Sequence, residues 1–187
     1  MPNIFFNRRF IVLTLIGLMF IFYLYNNRQS PHIDLSGESI DQRHVNETVN
    51  EDVKNGTITA TNQPAVSGYT AYESNIVSNQ QYNIKESNNE FTIKQISSEN
   101  TNSTTSKFVR VGSTKEHVIS TYGETYTVHI NNKLKTYLQY TDTKNNYSIQ
   151  FHLKDDIVEK IVLEDTAIEY RLKKLITLPV RLPNKGE

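Results

Sequence analysis

Apolar side chains recur at every second position in consecutive runs between Tyr126 and Leu163, and this pattern constrains the fold more than any other feature. Successive side chains of a β-strand point to opposite faces, so each run predicts a strand with one apolar and one polar face. Turn-forming residues separate the runs at 131–133, 142–146 and 154–156. Ile157–Leu163 has five apolar residues among its seven and predicts a central strand. The whole stretch predicts an antiparallel β-meander.

The segment before the meander, VGSTKEHVISTYG at 111–123, predicts a short helix. Ser113 followed three residues later by Glu116 is typical of a capping box, in which each residue bonds a free amide of the first turn. Gly123 stands where a helix often ends in a left-handed residue. The apolar residues at helical spacing between these signals are Val118, Ile119 and Tyr122.

These patterns predict an α+β fold class, with a short helix packed on a small antiparallel β-meander in a domain at 107–178. Ala167–Leu178 fits either a strand or a helix, and residues 179–187 are predicted to be a tail. Residues 69–106 are predicted to form a hairpin that turns at Ser87–Asn89, followed by a loop.

The N-terminal segment, residues 1–28, predicts an uncleaved single-pass membrane anchor. Phe10–Tyr25 carries no charge, and Arg8 and Arg9 precede it, which places the N-terminus in the cytoplasm and the rest outside the cell. A cleaved signal peptide is the alternative, although no small-residue cleavage motif follows the apolar run. Residues 29–68 are polar without lasting periodicity and predict a disordered tether.

Composition limits the partners. The chain has 20 basic and 20 acidic residues, so it lacks the basic surplus that nucleic acid binding requires. It has no cysteine. For a domain outside the cell, the absence of cysteine favours a bacterial, Gram-positive surface over a eukaryotic one.

The region from Phe108 to Leu163 resembles the small extracytoplasmic domains of the SmpA/OmlA and β-lactamase-inhibitor-protein-like group, closest to the anchored or secreted versions of Bacillus-like bacteria. The resemblance implies a helix on a small antiparallel sheet and a non-catalytic role in envelope assembly, protein binding or inhibition. Two departures are Glu124 with Thr125 in place of Gly-x-Pro, and Asp155 with Asp156 in place of a glycine turn. The matching positions are Val109, Gly112, Thr114, Lys115, Val118, Gly123, Phe151 and Ile157–Ile161.

Tyrosines are concentrated in the predicted domain, and tyrosine suits surfaces that are both apolar and wet. If the helix covers the face of Leu138, then Tyr137 and Gln139 lie on the opposite face. The alternative is that these tyrosines fill a small core. The predicted partner-binding residues are Tyr126, Tyr137, Gln139 and Tyr147; the sequence predicts no catalytic residue, metal site or cofactor.

The sequence therefore predicts a membrane-anchored, extracytoplasmic binding or assembly module that is not an enzyme. Its partner would be another envelope protein or a wall component. One alternative is a cell-surface enzyme or accessory subunit acting on wall polymers, which a deep polar cleft joining His129, His152 and Glu159 would favour. Another is an envelope signalling or sporulation regulator.

Overall fold

The described part of the chain consists mainly of one antiparallel sheet. A computed structural model describes residues 33–66, 68–130 and 136–166. The helices are α1 (Asn50–Lys54) and α2 (Lys115–Tyr122). The strands are β1 (Ile58–Ala60), β2 (Thr70–Ser74), β3 (Gln80–Ser87), β4 (Glu90–Ser98), β5 (Thr127–Ile130), β6 (Thr136–Asp142), β7 (Tyr147–Lys154) and β8 (Ile157–Asp165).

The strand order is β1-β2-β3-β4-β8-β7-β6-β5, so two four-stranded meanders share one sheet. The junction is the antiparallel pair β4 and β8, in which Gln95 faces Glu164 and Ser98 faces Ile161. The last strand of each meander therefore lies in the centre of the sheet, and β1 and β5 form its two edges.

The two halves repeat the same plan of a short helix followed by four strands. The β3–β4 turn has Asn88 and Asn89 at φ 52° and 64°, and the β7–β8 turn has Asp155 and Asp156 at φ 52° and 59°. Asparagine and aspartate tolerate this left-handed backbone, which is the one that a two-residue hairpin turn needs.

The entry to each helix is attached to the sheet by the same hydrogen bonds. In the first half, Asn46 N donates to Ile93 O (2.7 Å) and Val49 N to Phe91 O (2.8 Å). In the second half, Gly112 N donates to Val158 O (2.8 Å) and Lys115 N to Asp156 O (2.8 Å). The two halves are therefore an internal structural duplication.

Two hydrogen bonds between the halves are related to each other by two-fold symmetry, as the strands β4 and β8 are. Asp41 N donates to Thr104 O (3.0 Å), and Ser106 N donates to Ser39 O (3.1 Å). The loops ahead of α1 and α2 thus pair with each other, as β4 and β8 do in the sheet.

One face of the sheet is the core. Helix α2 and the loops that precede both helices supply buried apolar side chains to it, and Val53 of α1 packs against it partly buried. The ring of Tyr122 on α2 lies 5.3 Å from that of Tyr140 and 5.1 Å from that of Phe151. The strand residues of this core are Ile58, Tyr72, Tyr82, Ile84, Ile93, Ile96, Leu138, Tyr140, Ile149, Phe151, Leu153, Val158, Ile161 and Leu163.

The prediction of a disordered tether at 29–68 is wrong for the residues described from 33 onward. Leu35, Ile40, Val45 and Val49 are buried in the common core. They follow no helix or strand period because they lie in turns and isolated bridges, each reaching the core separately. Periodicity therefore could not reveal them.

The prediction of an α+β fold class is also wrong, because the described residues form a mostly-β fold with two short helices. The predicted hairpin at 69–106 contributes β2, β3 and β4 to the sheet, and the domain predicted at 107–178 shares that sheet and core. The described residues all belong to one compact unit that begins at Ile33.

The predicted helix is confirmed, with a different first residue. Its N-cap is Thr114, whose side chain accepts from His117 N, while Ser113 Oγ accepts from Arg110 N (3.1 Å). Gly123 ends it at φ 91° and donates to Ile119 O (2.8 Å).

The meander that follows is confirmed as β5 to β8, as are its turns at 142–146 and 154–156 and the central place of the last strand. The turn predicted at 131–133, the segment Ala167–Leu178 and the tail at 179–187 lie outside the described residues.

The prediction of a single-pass membrane protein with its domain outside the cell is corrected. Across 33–66, 68–130 and 136–166, no helix has the length and apolar character needed to cross a membrane. The anchor predicted at 1–28 lies outside these ranges.

Candidate functional site

The second face of the sheet, here called the open face, is polar. Its residues alternate along each strand with those of the core, so Gln150 lies between Ile149 and Phe151, which are both buried. Cross-strand pairing fixes its members, which include Gln81, Asn83, Gln95, Ser97, His129, Tyr137, Gln139, Ser148, Gln150, His152, Lys160, Val162 and Glu164.

A row of side chains on the open face is connected from β3 to β7 by hydrogen bonds. Asn83 Nδ2 donates to Gln95 Oε1, and Gln95 Nε2 donates to Glu164 Oε2 (2.7 Å). Gln150 Nε2 donates to Glu164 Oε1 (2.7 Å), and Gln150 Oε1 lies 3.3 Å from His152 Nε2. These bonds hold each side chain in one orientation.

Three stacked rings extend this row to the sheet edge. The ring of Tyr137 on β6 lies 4.8 Å from that of His152 on β7 and 4.7 Å from that of His129 on β5. Their planes differ by 20° and 9°, respectively. We call the whole set, Asn83, Gln95, Glu164, Gln150, His152, Tyr137 and His129, the polar row.

The β1–β2 loop bends over the open face and is bonded to it. Gln81 Nε2 donates to Gln63 Oε1 (2.8 Å), and Val66 N donates to Asn83 Oδ1 (3.4 Å). Pro64, Ala65 and Val66 thereby form an apolar wall beside the polar row.

Loop and open face together line a cavity of about 900 Å³ that is open to solvent on one side. Its floor contains residues from both halves of the duplication: Gln95 from β4, Gln150 from β7 and Glu164 from β8. A volume of this size is within the range of sites that hold a small molecule or several residues of a peptide. The site exists only because β4 and β8 join the meanders.

Glu164 is the most enclosed charged group in the cavity, with 6% of its surface exposed. Its carboxylate accepts from Ser148 Oγ (2.9 Å), Gln150 Nε2 and Gln95 Nε2. These three donors hold the carboxylate in one orientation.

The arrangement that would favour an enzyme is only partly present. His152 and Glu159 both line the cavity, whereas the imidazole of His129 is separated from that of His152 by the Tyr137 ring. With the phenol between them, the two imidazoles cannot bind one metal ion, whose nitrogen ligands lie about 2.0–2.1 Å from it. The described residues contain no group of three or more side chains placed to hold a metal.

The four predicted partner-binding residues divide between the two faces. Tyr137 and Gln139 lie on the open face, as their parity predicts. Tyr126 and Tyr147 pack against the core instead, Tyr126 with its ring 5.8 Å from that of Tyr140 and Tyr147 with its hydroxyl accepting from Asn46 Nδ2 (3.3 Å).

Sequence reasoning missed Asn83, Gln95, Gln150 and Glu164. Each occupies a polar position in an alternating strand, where exposure to solvent is the ordinary expectation. The available signal was the repetition of carboxamides at three of these positions, Asn83, Gln95 and Gln150. That signal points to one site only when β3, β4, β8 and β7 are known to be neighbours.

Comparisons with protein-family models, with curated proteins and with solved structures found no match for this chain. The resemblance to SmpA/OmlA and β-lactamase-inhibitor-protein-like domains therefore stays a prediction.

Proposed function

We propose that this chain is a non-catalytic binding module that holds an extended segment of another protein on the open face of its sheet. The observation that carries the proposal is the cavity of about 900 Å³, which has an apolar wall from one loop and an oriented polar floor from four strands.

The floor has the spacing of an extended peptide. Along each strand, open-face residues such as Gln81 and Asn83, or Val162 and Glu164, are two positions apart, which is about 6.6 Å. An extended ligand lying along the strands presents its backbone groups on one side at the same interval. Each carboxamide offers both a donor and acceptors, so it can pair with a peptide group in either orientation.

The hydrogen bonds within the polar row favour binding in a second way. A side chain that is already fixed loses little rotamer freedom when a ligand contacts it. The bonds from Gln95 and Gln150 to Glu164 therefore preorganise the cavity floor for binding.

Photo-crosslinking of the full chain in its native cells tests this proposal. A photoreactive residue replaces Gln63 or Ser97, which line the cavity, or, as controls, Lys54 or Glu116, which are exposed on α1 and α2. We expect one discrete protein adduct that is shared by the two cavity positions and absent from the controls. The same adducts from all four positions, or none from the cavity, would refute the proposal.

A further inference from the structure

We propose that residues 63–66 of the β1–β2 loop compete with the bound peptide for one end of the cavity floor, and that the peptide which displaces them shares their chemistry. These residues, here called the loop segment, read Gln-Pro-Ala-Val. The peptide class is therefore a glutamine followed by small apolar residues. This inference rests on the proposed function, since it names the regulation of the same site and the peptide that the site takes.

The loop segment is bound to the open face by the contacts that a peptide would use. Gln63 Oε1 accepts from Gln81 Nε2 (2.8 Å), and three residues later Val66 N donates to Asn83 Oδ1 (3.4 Å). Gln81 and Asn83 are two positions apart on β3, and both line the cavity. One carboxamide of the floor thus binds a side chain, and the next binds a backbone N–H group.

The internal duplication identifies which residue of the second half corresponds to this part of the floor. Ile93 O and Val158 O accept matched bonds from the two helix entries. The residues that pair with these two directly follow Asn83 and His152, where both hairpins have a β-bulge. Asn83 and His152 are therefore equivalent.

The fold itself does not need the loop segment at this place. In the first half, Ala71 of β2 pairs with Asn83. In the second half, Tyr137 of β6 pairs with His152, and the two rings are stacked 4.8 Å apart. Ala71 has only a methyl group, and it lines the cavity together with the loop segment. The loop segment thus occupies a space over the sheet that a side chain fills in the second half.

The loop segment is held weakly enough to be displaced. Among the described residues, the bonds to Gln81 and Asn83 are the only hydrogen bonds that join it to the open face. A net hydrogen bond of this kind changes an equilibrium about fivefold. Gln63 and Pro64 are exposed, and the other two residues of the segment are only partly buried, so its displacement gives up little buried surface.

The competition favours ligands that extend beyond the loop segment. Because the segment belongs to the same chain, its effective concentration at the site is about millimolar. A short peptide that makes only the same two contacts is outcompeted at lower concentrations. A longer ligand that reaches β4, where Gln95 and Ser97 line the cavity, adds contacts to these two and displaces the segment.

Calorimetry with the full chain tests the competition. The probe is the blocked peptide Asn-Gln-Pro-Ala-Val, which copies residues 62–66, and its matched analogue has alanine in place of glutamine. A double variant with Gln63→Ala and Val66→Pro removes both bonds of the loop segment and leaves their partners on β3 unchanged. We expect the double variant to bind the probe more tightly than the native chain does, by about fivefold or more, and the alanine analogue to lose this gain. Asn62→Ala, at an exposed position outside the cavity, is the control and should bind the probe as the native chain does.

A second measurement uses the photoreactive residue at Ser97 in native cells, and it decides the question if the double variant does not fold. Gln63→Ala alone removes one of the two bonds, so it should raise the yield of the Ser97 adduct about fivefold when the partner is limiting. Equal binding of the probe by the native chain and the double variant, no binding by the folded double variant, or an unchanged adduct yield would each overturn the inference, while the adduct itself would leave the proposed function standing. No adduct from either chain would overturn both.

Discussion

Asp142 provides the sharpest test of how the segment at 33–49 is attached to the sheet. It ends β6, is fully buried, and accepts four hydrogen bonds from other described residues. Oδ1 accepts from Lys144 N and Asn145 N, both at 3.0 Å. Oδ2 accepts from Leu35 N (3.0 Å) and Asn145 Nδ2 (2.7 Å). One side chain thus joins the β6–β7 turn to the N-terminal part of the fold.

Asp142→Asn preserves the shape and removes half of this acceptor capacity. Whichever way the new amide is turned, its NH₂ group faces two donors, so two hydrogen bonds are lost and two buried or partly buried donors lack a partner. A buried donor left without a partner costs about 1–3 kcal/mol. Allowing for some relaxation, we expect the free energy of unfolding to fall by about 3 kcal/mol.

The loss of stability caused by Asp142→Asn should depend on pH. Burial alone would raise the pKa of Asp142, but the bonds from Leu35 N, Asn145 and Lys144 N outweigh burial and lower it. A lowered folded pKa gives stability that is present above the unfolded value, about 3.9, and is lost as pH falls through the folded value. The difference between native chain and variant should therefore be full at neutral pH and shrink in acid.

Urea denaturation followed by circular dichroism measures both effects. Asp155→Asn is the matched control, because Asp155 is exposed and lies at φ 52° in a turn where asparagine is equally tolerated. It should change stability by less than about 0.5 kcal/mol. If Asp142→Asn is equally silent at neutral pH, or if its effect persists unchanged in strong acid, the reasoning is wrong.

Two further predictions concern backbone strain and buried phenols. Phe108 lies at φ 63° with 81% of its surface exposed, so Phe108→Asn should raise the free energy of unfolding by about 1 kcal/mol in urea denaturation, and a loss of stability would contradict this. Burial raises the pKa of Tyr72 and of Tyr82 to about 12, with a bond to Glu86 adding to the effect at Tyr72. Their contribution to stability should be complete below about pH 10 and fall as pH rises toward 12, because the unfolded chain ionises first. The tyrosinate absorbance that Tyr72→Phe or Tyr82→Phe removes should therefore be absent from the folded chain at pH 10, and its presence there would contradict the prediction.

Local sequence signals were enough for the parts of the fold that depend on near neighbours. Alternation gave the meander from Tyr126 to Leu163, and Gly123 marked the end of α2. The turn at Asn88 and Asn89 was visible because asparagine favours the left-handed backbone found there.

The fold class and the site depend on contacts between residues far apart in sequence. The bond from Gln95 to Glu164 spans 69 positions and requires β4 to pair with β8, which no local pattern indicates. Leu35 and Ile40 reach the core from turns, so they show no periodicity. Consequently the sequence-based prediction treated the tether at 29–68 and the hairpin at 69–106 as separate from the domain at 107–178, although their described residues share its sheet and core.

Residue-resolved hydrogen exchange of the full chain tests most directly the claim that both halves share one sheet and thereby form the cavity. The amides of Gln95–Ser98 on β4 and Ile161–Glu164 on β8 lie on the two sides of the junction. We predict that both sets fall in the most protected class and open with the same free energy, because they can open only together. Fast exchange throughout β1 to β4 beside a protected β5 to β8 would show that the halves are independent, and would contradict both the fold and the site.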